Sequence, residues 1–415
     1  MVLANFPLVR SMPNPELLAE PHAAGKKPRE ALQEQAGFKV LQVVEAANAG
    51  VGRHTLDLCQ GLSDRGCEVH LIYSPLRNDQ FFNRQLETLR GVTCVTYPVR
   101  REIHPSDLLA ARFVRAYLRK NGPFDLVHGH SSKGGALARL ATLGQRVPAV
   151  YTPNAIRTMH PDISPKSRCL IGWIERLLAK KQGAIVAVSP EEFAHLESLK
   201  IASEKICLIP NGVAAPSLPT REETRATLGL PAESIIIGFV GRFSEQKAPE
   251  VLLRAFTKVA YTQPLLRLAM IGWGEQEDKL KAMADQAQLA GRIDWLGEQP
   301  GQQSMKAFDV FALPSRYEGM PYVLLESLVA GLPIVCTRTA GAPLMVESGV
   351  NGELIEQNDP AGFAAALESL AKDASLRACY AEASLKKSTE FTLDRMLSET
   401  IELYQSLVPQ TASLN

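Results

Sequence analysis

The residues with the most chemistry in this chain fall in two short stretches of its second half. In the first, the apolar run IIIGFVG leads into Arg242-Phe243-Ser244-Glu245-Gln246-Lys247, and then into an amphipathic stretch that begins near Pro249. Two cations at the carboxyl end of a strand, ahead of a helix N-terminus, form a clamp for a diphosphate, because the side chains and the helix end present positive charge to one place. In the second, FDVFALP is followed by Ser315-Arg316-Tyr317-Glu318-Gly319-Met320-Pro321-Tyr322-Val323-Leu324-Leu325-Glu326. Pro321 suits the first position of a helix, which leaves the amides after it free for phosphate and sets Glu326 about 7 Å along the axis. Glu318 then stands in the loop at the mouth. Two carboxylates so placed can hold hydroxyls of two rings, one on each side of a diphosphate. A single Glu is more often a solvated surface acid, so the reading rests on the combination.

The first half offers two further places. After the first apolar run stands Asn48-Ala49-Gly50-Val51-Gly52-Arg53-His54, followed by a helix with Leu56, Leu58 and Leu62 on its apolar positions. Such a Gly-x-Gly lets backbone approach a phosphate, although glycines often serve the turn alone. A third glycine is missing, and Glu68 does not lie at the end of the second strand, where the ribose-binding acid of a dinucleotide fold belongs. A nicotinamide enzyme is therefore the weaker alternative. After FDLV come His128 and His130, which are expected to point to opposite faces of the sheet, so that only one looks into a cleft. His130, nearer the strand's carboxyl end, is the candidate; two ordinary loop or core histidines are the plain alternative.

What must position these groups is a repeated alternation of apolar strand, turn and amphipathic helix, starting at Phe38 with FKVLQVV and continuing through CEVHLIY, FDLVHGH, PAVYT, GAIVAVS and KICLIP. Strands alternating with helices mean a parallel sheet covered on both faces, with ligands gathered beyond the carboxyl ends of the strands. After Asn211-Gly212 a stretch of Ala, Pro, Ser and Thr interrupts the series, and a second begins with SIIIGFVG. A chain of 415 residues exceeds one ordinary core. The division expected is a mobile extension over 1–37, an N-terminal Rossmann-like domain over 38–212, a C-terminal one over 213–390, and a helix over 391–408 that returns to the first domain.

Composition narrows the class. Apolar residues make up 46% and charged ones 21% of the chain, and no apolar run approaches the roughly 18 residues that span a bilayer. The N-terminus lacks the pattern of a secretory signal. Seven cysteines without short-range pairing read as small buried hydrophobes in a reducing cytoplasm, and His128 with His130 has no further ligands nearby to make a zinc site. Net charge is +1, yet residues 38–212 carry 23 Lys and Arg against 15 Asp and Glu, while 213–415 carry 18 against 25. That basic field would draw an anionic acceptor or an anionic membrane surface, and solvated helix faces account for part of it equally well. In SDLLAARFVRAYLRKNG, Leu109, Phe113, Ala116 and Tyr117 are expected to share one face beside Arg112, Arg115, Arg119 and Lys120.

GRFSEQKAPEVLLRAF, IGWGEQE, LPSRYEGMPYVLLESLVAGLPIVCT and the turn IPNGV resemble the signature stretches of glycosyltransferase family 4, over nearly all of residues 38–408. The resemblance implies a GT-B fold, two facing Rossmann-like doubly wound α/β domains with the active site in the cleft, and retaining, metal-independent transfer from a nucleotide-diphosphate sugar without a cofactor. It implies that Arg242 and Lys247 hold the donor diphosphate, that Glu318 with the amides of Gly319 and Met320 contacts the transferred sugar, and that Glu326 holds the ribose. Tyr322 and Val323 belong to the same donor-binding helix start. Gly52 would approach the distal phosphate, Gly297 and Glu298 would lie along the base, and His130 would sit beside the sugar. Arg53 and Asn154 are acceptor-side candidates.

Many relatives have His where this chain has Asn154 and Glu where it has Leu344, whose side chain cannot bond a sugar hydroxyl. The expected partners are a nucleotide-sugar donor and an anionic or lipid-linked glycan acceptor, such as a glycolipid or polysaccharide precursor. No nucleic acid is expected. The expected location is the cytoplasm, with a peripheral place at the inner membrane face as a further expectation. A nucleotide-sugar hydrolase or epimerase of the same fold, or a non-enzymatic nucleotide-sugar-binding protein, are the alternatives.

Overall fold

A computed structural model describes residues 37–181 and 183–408. The extension expected over 1–37 lies outside the described residues, apart from Gly37. Among the described residues the chain forms two parallel sheets. The first contains β1 (Lys39–Val44), β2 (Glu68–Tyr73), β3 (Val92–Thr96), β4 (Leu126–His130), β5 (Ala149–Thr152), β6 (Gly183–Ala187) and β7 (Ile206–Leu208), in the order β3-β2-β1-β4-β5-β6-β7. The second contains β8 (Ile235–Val240), β9 (Leu266–Ile271), β10 (Ile293–Gly297), β11 (Val310–Leu313), β12 (Ile334–Thr337) and β13 (Gly352–Ile355), in the order β10-β9-β8-β11-β12-β13. Both are doubly wound, with the order reversing between β1 and β4 and between β8 and β11, where a crevice opens at the carboxyl ends.

Strand periodicity decides what each face buries. Val40 and Val44 of β1 pack with the helices Ala49–Ser63 and Leu393–Leu407, through Leu56, Leu58, Leu62, Met396, Leu397 and Tyr404. Leu41 and Val43 point the other way, onto the helices Ser106–Asn121 and Ser131–Ala141 through Val114 and Leu137. That same face continues through Tyr151 and Ile185. In the second domain the helices Pro249–Ala260 and Pro360–Lys372 supply Leu252, Phe256, Phe363 and Leu367 to a single core.

Three expectations are corrected. The helix after β1 begins at Ala49, so Gly50 and Gly52 lie within its first turn and not in a loop ahead of it. On the helix Ser106–Asn121, Leu109 and Ala116 are exposed, but Phe113 stacks on Tyr97 at 4.4 Å and Tyr117 meets His70 Nδ1 at 2.7 Å. Those two rings have partners, so the proposed apolar face is only partly free. Of the seven cysteines, all unpaired, Cys59, Cys67 and Cys336 are buried, while Cys94, Cys169 and Cys379 are exposed.

The two crossings between the domains run side by side. Val213 bridges Thr392 in parallel, with Val213 N donating to Phe391 O at 3.0 Å and Leu393 N to Val213 O at 3.0 Å. A Cβ on Gly212 would come within 2.2 Å of Thr392 O, a backbone atom that cannot step aside alone. Gly212→Ala is therefore expected to lower stability by about 1–3 kcal/mol, the usual cost of overpacking. Urea unfolding checks this, and an unchanged midpoint would show that the paired crossings yield freely.

Candidate functional site

The carboxyl ends of the two sheets face one another, and the loops beyond them touch. Lys247 Nζ lies 2.6 Å from Glu318 Oε1, which brings the cation-rich turn after β8 to the mouth of the loop after β11. Arg242 follows directly on Gly241 at the end of β8; its side chain is exposed, with the guanidinium 5.9 Å over the Trp273 ring. The helix after this turn starts at Pro249. In the second motif the helix spans Tyr322–Val329, and Pro321 is its N-cap rather than its first residue, a shift of one from expectation. The first bond back to this turn runs from Leu324 N to Pro321 O at 3.1 Å, so the amides of Tyr322 and Val323 precede the helical ladder, at the positive end of the helix dipole.

The first domain supplies the opposite wall. Arg53 Nη1 reaches across to Glu326 Oε1 at 2.5 Å and is steadied by Asp57 Oδ2 at 3.2 Å from its Nε. Its guanidinium lies 5.6 Å over the Tyr322 ring, and the Tyr322 hydroxyl lies 3.3 Å from His54 Nδ1. The acceptor-side candidate Arg53 thus holds the carboxylate assigned to the ribose. Gly52 N donates to Asn48 O at 3.0 Å, so its own amide is already bonded within the helix, and a phosphate there would meet the amides before it. Glu298, beside Gly297 at the end of β10, pairs with Arg84 of the first domain at 3.0 Å. Asn211 Nδ2 donates to Met320 O at 3.2 Å.

Asn154 lies beside a close approach of the two domains, where Ala155 meets Gly319. It and Ala155 both adopt left-handed backbone, with φ of 53° and 79°, a conformation that costs non-glycine residues about 1–3 kcal/mol each and collects at functional sites. The buried Glu192 carboxylate holds this turn by accepting from Ala155 N at 3.0 Å, Ile156 N at 2.8 Å and Val188 N at 3.0 Å. A Cβ on Gly319 would stand 2.6 Å from Ala155 N, so only glycine allows this approach. Asn154 Nδ2 is buried without a partner. Leu344 is half-buried against the second core and offers the cleft no polar atom.

The histidines correct a further expectation. His128 and His130 share one face of β4, with ring centroids 4.2 Å apart, because residues two apart on a strand point the same way. His54, which sequence reading passed over, joins them with its ring 5.3 Å from that of His130. No spacing rule links His54 to β4; only the packing of its helix over the sheet does. Ser131, directly after His130, has left-handed backbone at φ 63°, which residue types and spacing do not show. Among the described residues no group of three or more His, Cys, Asp and Glu is placed to hold a metal.

Burial dominates the electrostatics of the first wall. It pushes His54 down to about 4 and His128 and His130 well below their usual range, with neighbouring histidines adding to the last two. It also raises the Glu326 carboxyl, which Arg53 opposes. The folded value of His54 lies below its unfolded value of 6.5, so between those values the unfolded chain takes up a proton that the folded chain does not. Stability is therefore fully present above about pH 6.5 and falls as pH drops toward 4. Urea unfolding from pH 6.5 to 4.5 should show a shallower fall in His54→Asn than in the parent; equal slopes would refute the assignment.

Known proteins share the fold that carries this site. The family model described as "Glycosyl transferases group 1" matches residues 220–387, and "Glycosyltransferase Family 4" matches 48–215. D-inositol 3-phosphate glycosyltransferase of Corynebacterium jeikeium is 27% identical over 349 residues, covering 77% of this chain and 83% of the relative. Its counterpart from Stackebrandtia nassauensis is 26% identical, covering 88% of each. Among solved structures, Anabaena Alr3699/HepE in complex with UDP superposes with a TM-score of 0.76 at 20% identity, over 89% of this chain and all of that one. A glycosyltransferase from Rickettsia africae gives 0.76 at 19%, over 91% and 100%. Two doubly wound sheets that meet at their carboxyl ends, with both family models matched in tandem, make this chain a GT-B glycosyltransferase of the group 1, family 4 class.

Proposed function

We propose that the chain transfers a sugar from a nucleotide-diphosphate donor to an acceptor hydroxyl with retention and without a metal. The observation that carries this is the Lys247–Glu318 pair, which joins the turn after β8, where Arg242 also stands, to the loop that leads into the helix Tyr322–Val329 bearing Glu326. Arg242, Lys247 and the helix amides face the diphosphate and gain interaction as its negative charge grows, while the acceptor hydroxyl attacks from the same face. Lys247 leaves Glu318 for the phosphate, and Glu318 takes up sugar hydroxyls. Glu326 exchanges Arg53 for the ribose. The acceptor is an anionic glycan precursor, free or lipid-linked, a reading supported by the basic first domain and by relatives named for inositol 3-phosphate.

Thermal-shift screening of nucleotide sugars, with UDP-glucose first because a structural neighbour binds it, identifies the donor. Product analysis with and without D-inositol 3-phosphate or a glycolipid then separates transfer from hydrolysis. Arg242→Ala and Lys247→Ala should each depress kcat on the order of 100-fold. Glu326→Gln should chiefly raise donor KM, and Glu318→Gln should lower kcat more than Glu326→Gln does. Normal kcat in both cation variants, or a silent Glu318→Gln, would mean that the donor binds elsewhere.

A peripheral membrane place is supported by a face that sequence reading did not find. On the helix Pro165–Leu178, Leu170, Trp173 and Leu177 are 55%, 60% and 48% exposed, at helical spacing on one side, with exposed Lys166, Arg176 and Lys180 around them. The exposed Leu108 and Leu109 of Ser106–Asn121 lie in the same helical layer over the first sheet. Leucine and tryptophan among cations suit the interface of an anionic bilayer. Sedimentation with phosphatidylglycerol vesicles at low salt should capture the parent, and Trp173→Ser should weaken capture without changing turnover of a soluble acceptor. Equal binding to phosphatidylcholine vesicles, or none to either, would exclude this face as an anionic-membrane contact.

A further inference from the structure

Beneath the cleft runs a chain of buried polar groups that donor binding does not use. Tyr404, on the helix that returns from the second domain, has its hydroxyl 2.7 Å from His128 Nδ1, and His128 Nε2 lies 2.7 Å from Thr152 Oγ1. Gln42 Nε2 donates to the same Tyr404 oxygen at 3.3 Å, and Gln42 Oε1 lies 2.7 Å from His130 Nε2. All five side chains are buried, none more than 1% exposed.

Counting protons assigns every bond. A phenol has one proton, an amide nitrogen only donates and an amide oxygen only accepts. Since Gln42 Nε2 donates to the Tyr404 oxygen, the phenol proton goes to His128 Nδ1, and His128 carries its own proton on Nε2, toward Thr152. Since Gln42 Oε1 only accepts, His130 carries its proton on Nε2. Burial first, and the neighbouring histidines second, keep His130 neutral, so its Nδ1 is a bare lone pair. That atom is buried without a partner. An orphaned acceptor in a dry site is costly, and this one sits at the carboxyl end of β4 beside Ser131, whose hydroxyl is also buried and unpartnered.

We infer that Tyr404 and Gln42 are positioning residues that hold His130 in its Nε2–H tautomer, so that Nδ1 accepts a hydrogen bond from a substrate hydroxyl. The substrate half of this inference rests on the sugar-transfer reading above; the tautomer does not. The returning helix thereby acts on the active site through one hydroxyl, besides packing on the first sheet.

The test uses the full chain labelled with nitrogen-15 at histidine, with the His130 signals identified by their loss in His130→Asn. The parent should show His130 protonated at Nε2 and bare at Nδ1. Tyr404→Phe keeps the ring and removes the hydroxyl, which frees Gln42 to turn and should populate the other tautomer. Gln42→Glu, whose carboxylate only accepts, should retain Nε2–H. With UDP-glucose as donor, Tyr404→Phe should lower kcat on the order of tenfold, as loss of an orienting outer partner does, with donor KM unchanged. A proton on Nδ1 in the parent, or an unaltered tautomer in Tyr404→Phe, overturns the relay. A shifted tautomer with unchanged kcat overturns the positioning role. A parent that turns over no UDP-glucose counts against that donor, while the tautomer result still decides the relay.

Discussion

A carboxylate cannot keep its charge where two domains close on it unless a cation comes with it. Glu326 is buried, and the cation is Arg53 of the other domain, 2.5 Å away. The facing of the two sheets is tied to this contact, because separating them would leave both groups without their partner, and removing only one member would strand a charge in the cleft. Glu318 and Lys247 meet the same requirement within the second domain. The two acids of the motif therefore enter the cleft already paired. Hydroxyls and phosphates of a donor offer exchange partners of the same kind, so binding rearranges these charges and does not create them.

The two walls differ in kind. The second domain presents cations and helix amides, and the first presents Arg53, already paired with Glu326, beside neutral hydrogen-bonding groups, because burial keeps His54, His128 and His130 uncharged. The excess positive charge of the first domain includes Lys166, Arg176 and Lys180, exposed on its outer helical layer. Part of the net charge of this domain thus lies on its outer layer, and within the cleft Arg53 is paired with Glu326. An anionic leaving group is matched on one wall and hydroxyls on the other, which suits a reaction that moves a neutral sugar away from a diphosphate.

Much of the architecture was legible in the sequence. Near-continuous apolar runs such as FKVLQVV and SIIIGFVG become β1 and β8, since a strand buried on both faces is apolar almost throughout. The start of the helix at Pro249 and the eight-residue spacing of the two acids were also legible, because both depend on neighbours in the chain. Local inferences also failed: helices begin at Ala49 and at Tyr322, one after Pro321, and the alternation of a strand puts His128 and His130 on the same face, not on opposite ones.

By itself, then, the sequence determined where strands and helices lie and which residue types stand just beyond the strands of the second domain, since those follow from short-range sterics and periodicity. Tertiary structure alone decided that Arg53 pairs with Glu326 across 273 residues, that Tyr404 reaches His128 across 276, and that Ala155 lies against Gly319. It also decided that Phe113 and Tyr117 are engaged while Trp173 is exposed. The reason is physical: hydrogen bonds, ion pairs and burial act over a few ångströms, and which distant residues come that close depends on how helices pack on sheets and how the two sheets meet, which no local spacing encodes.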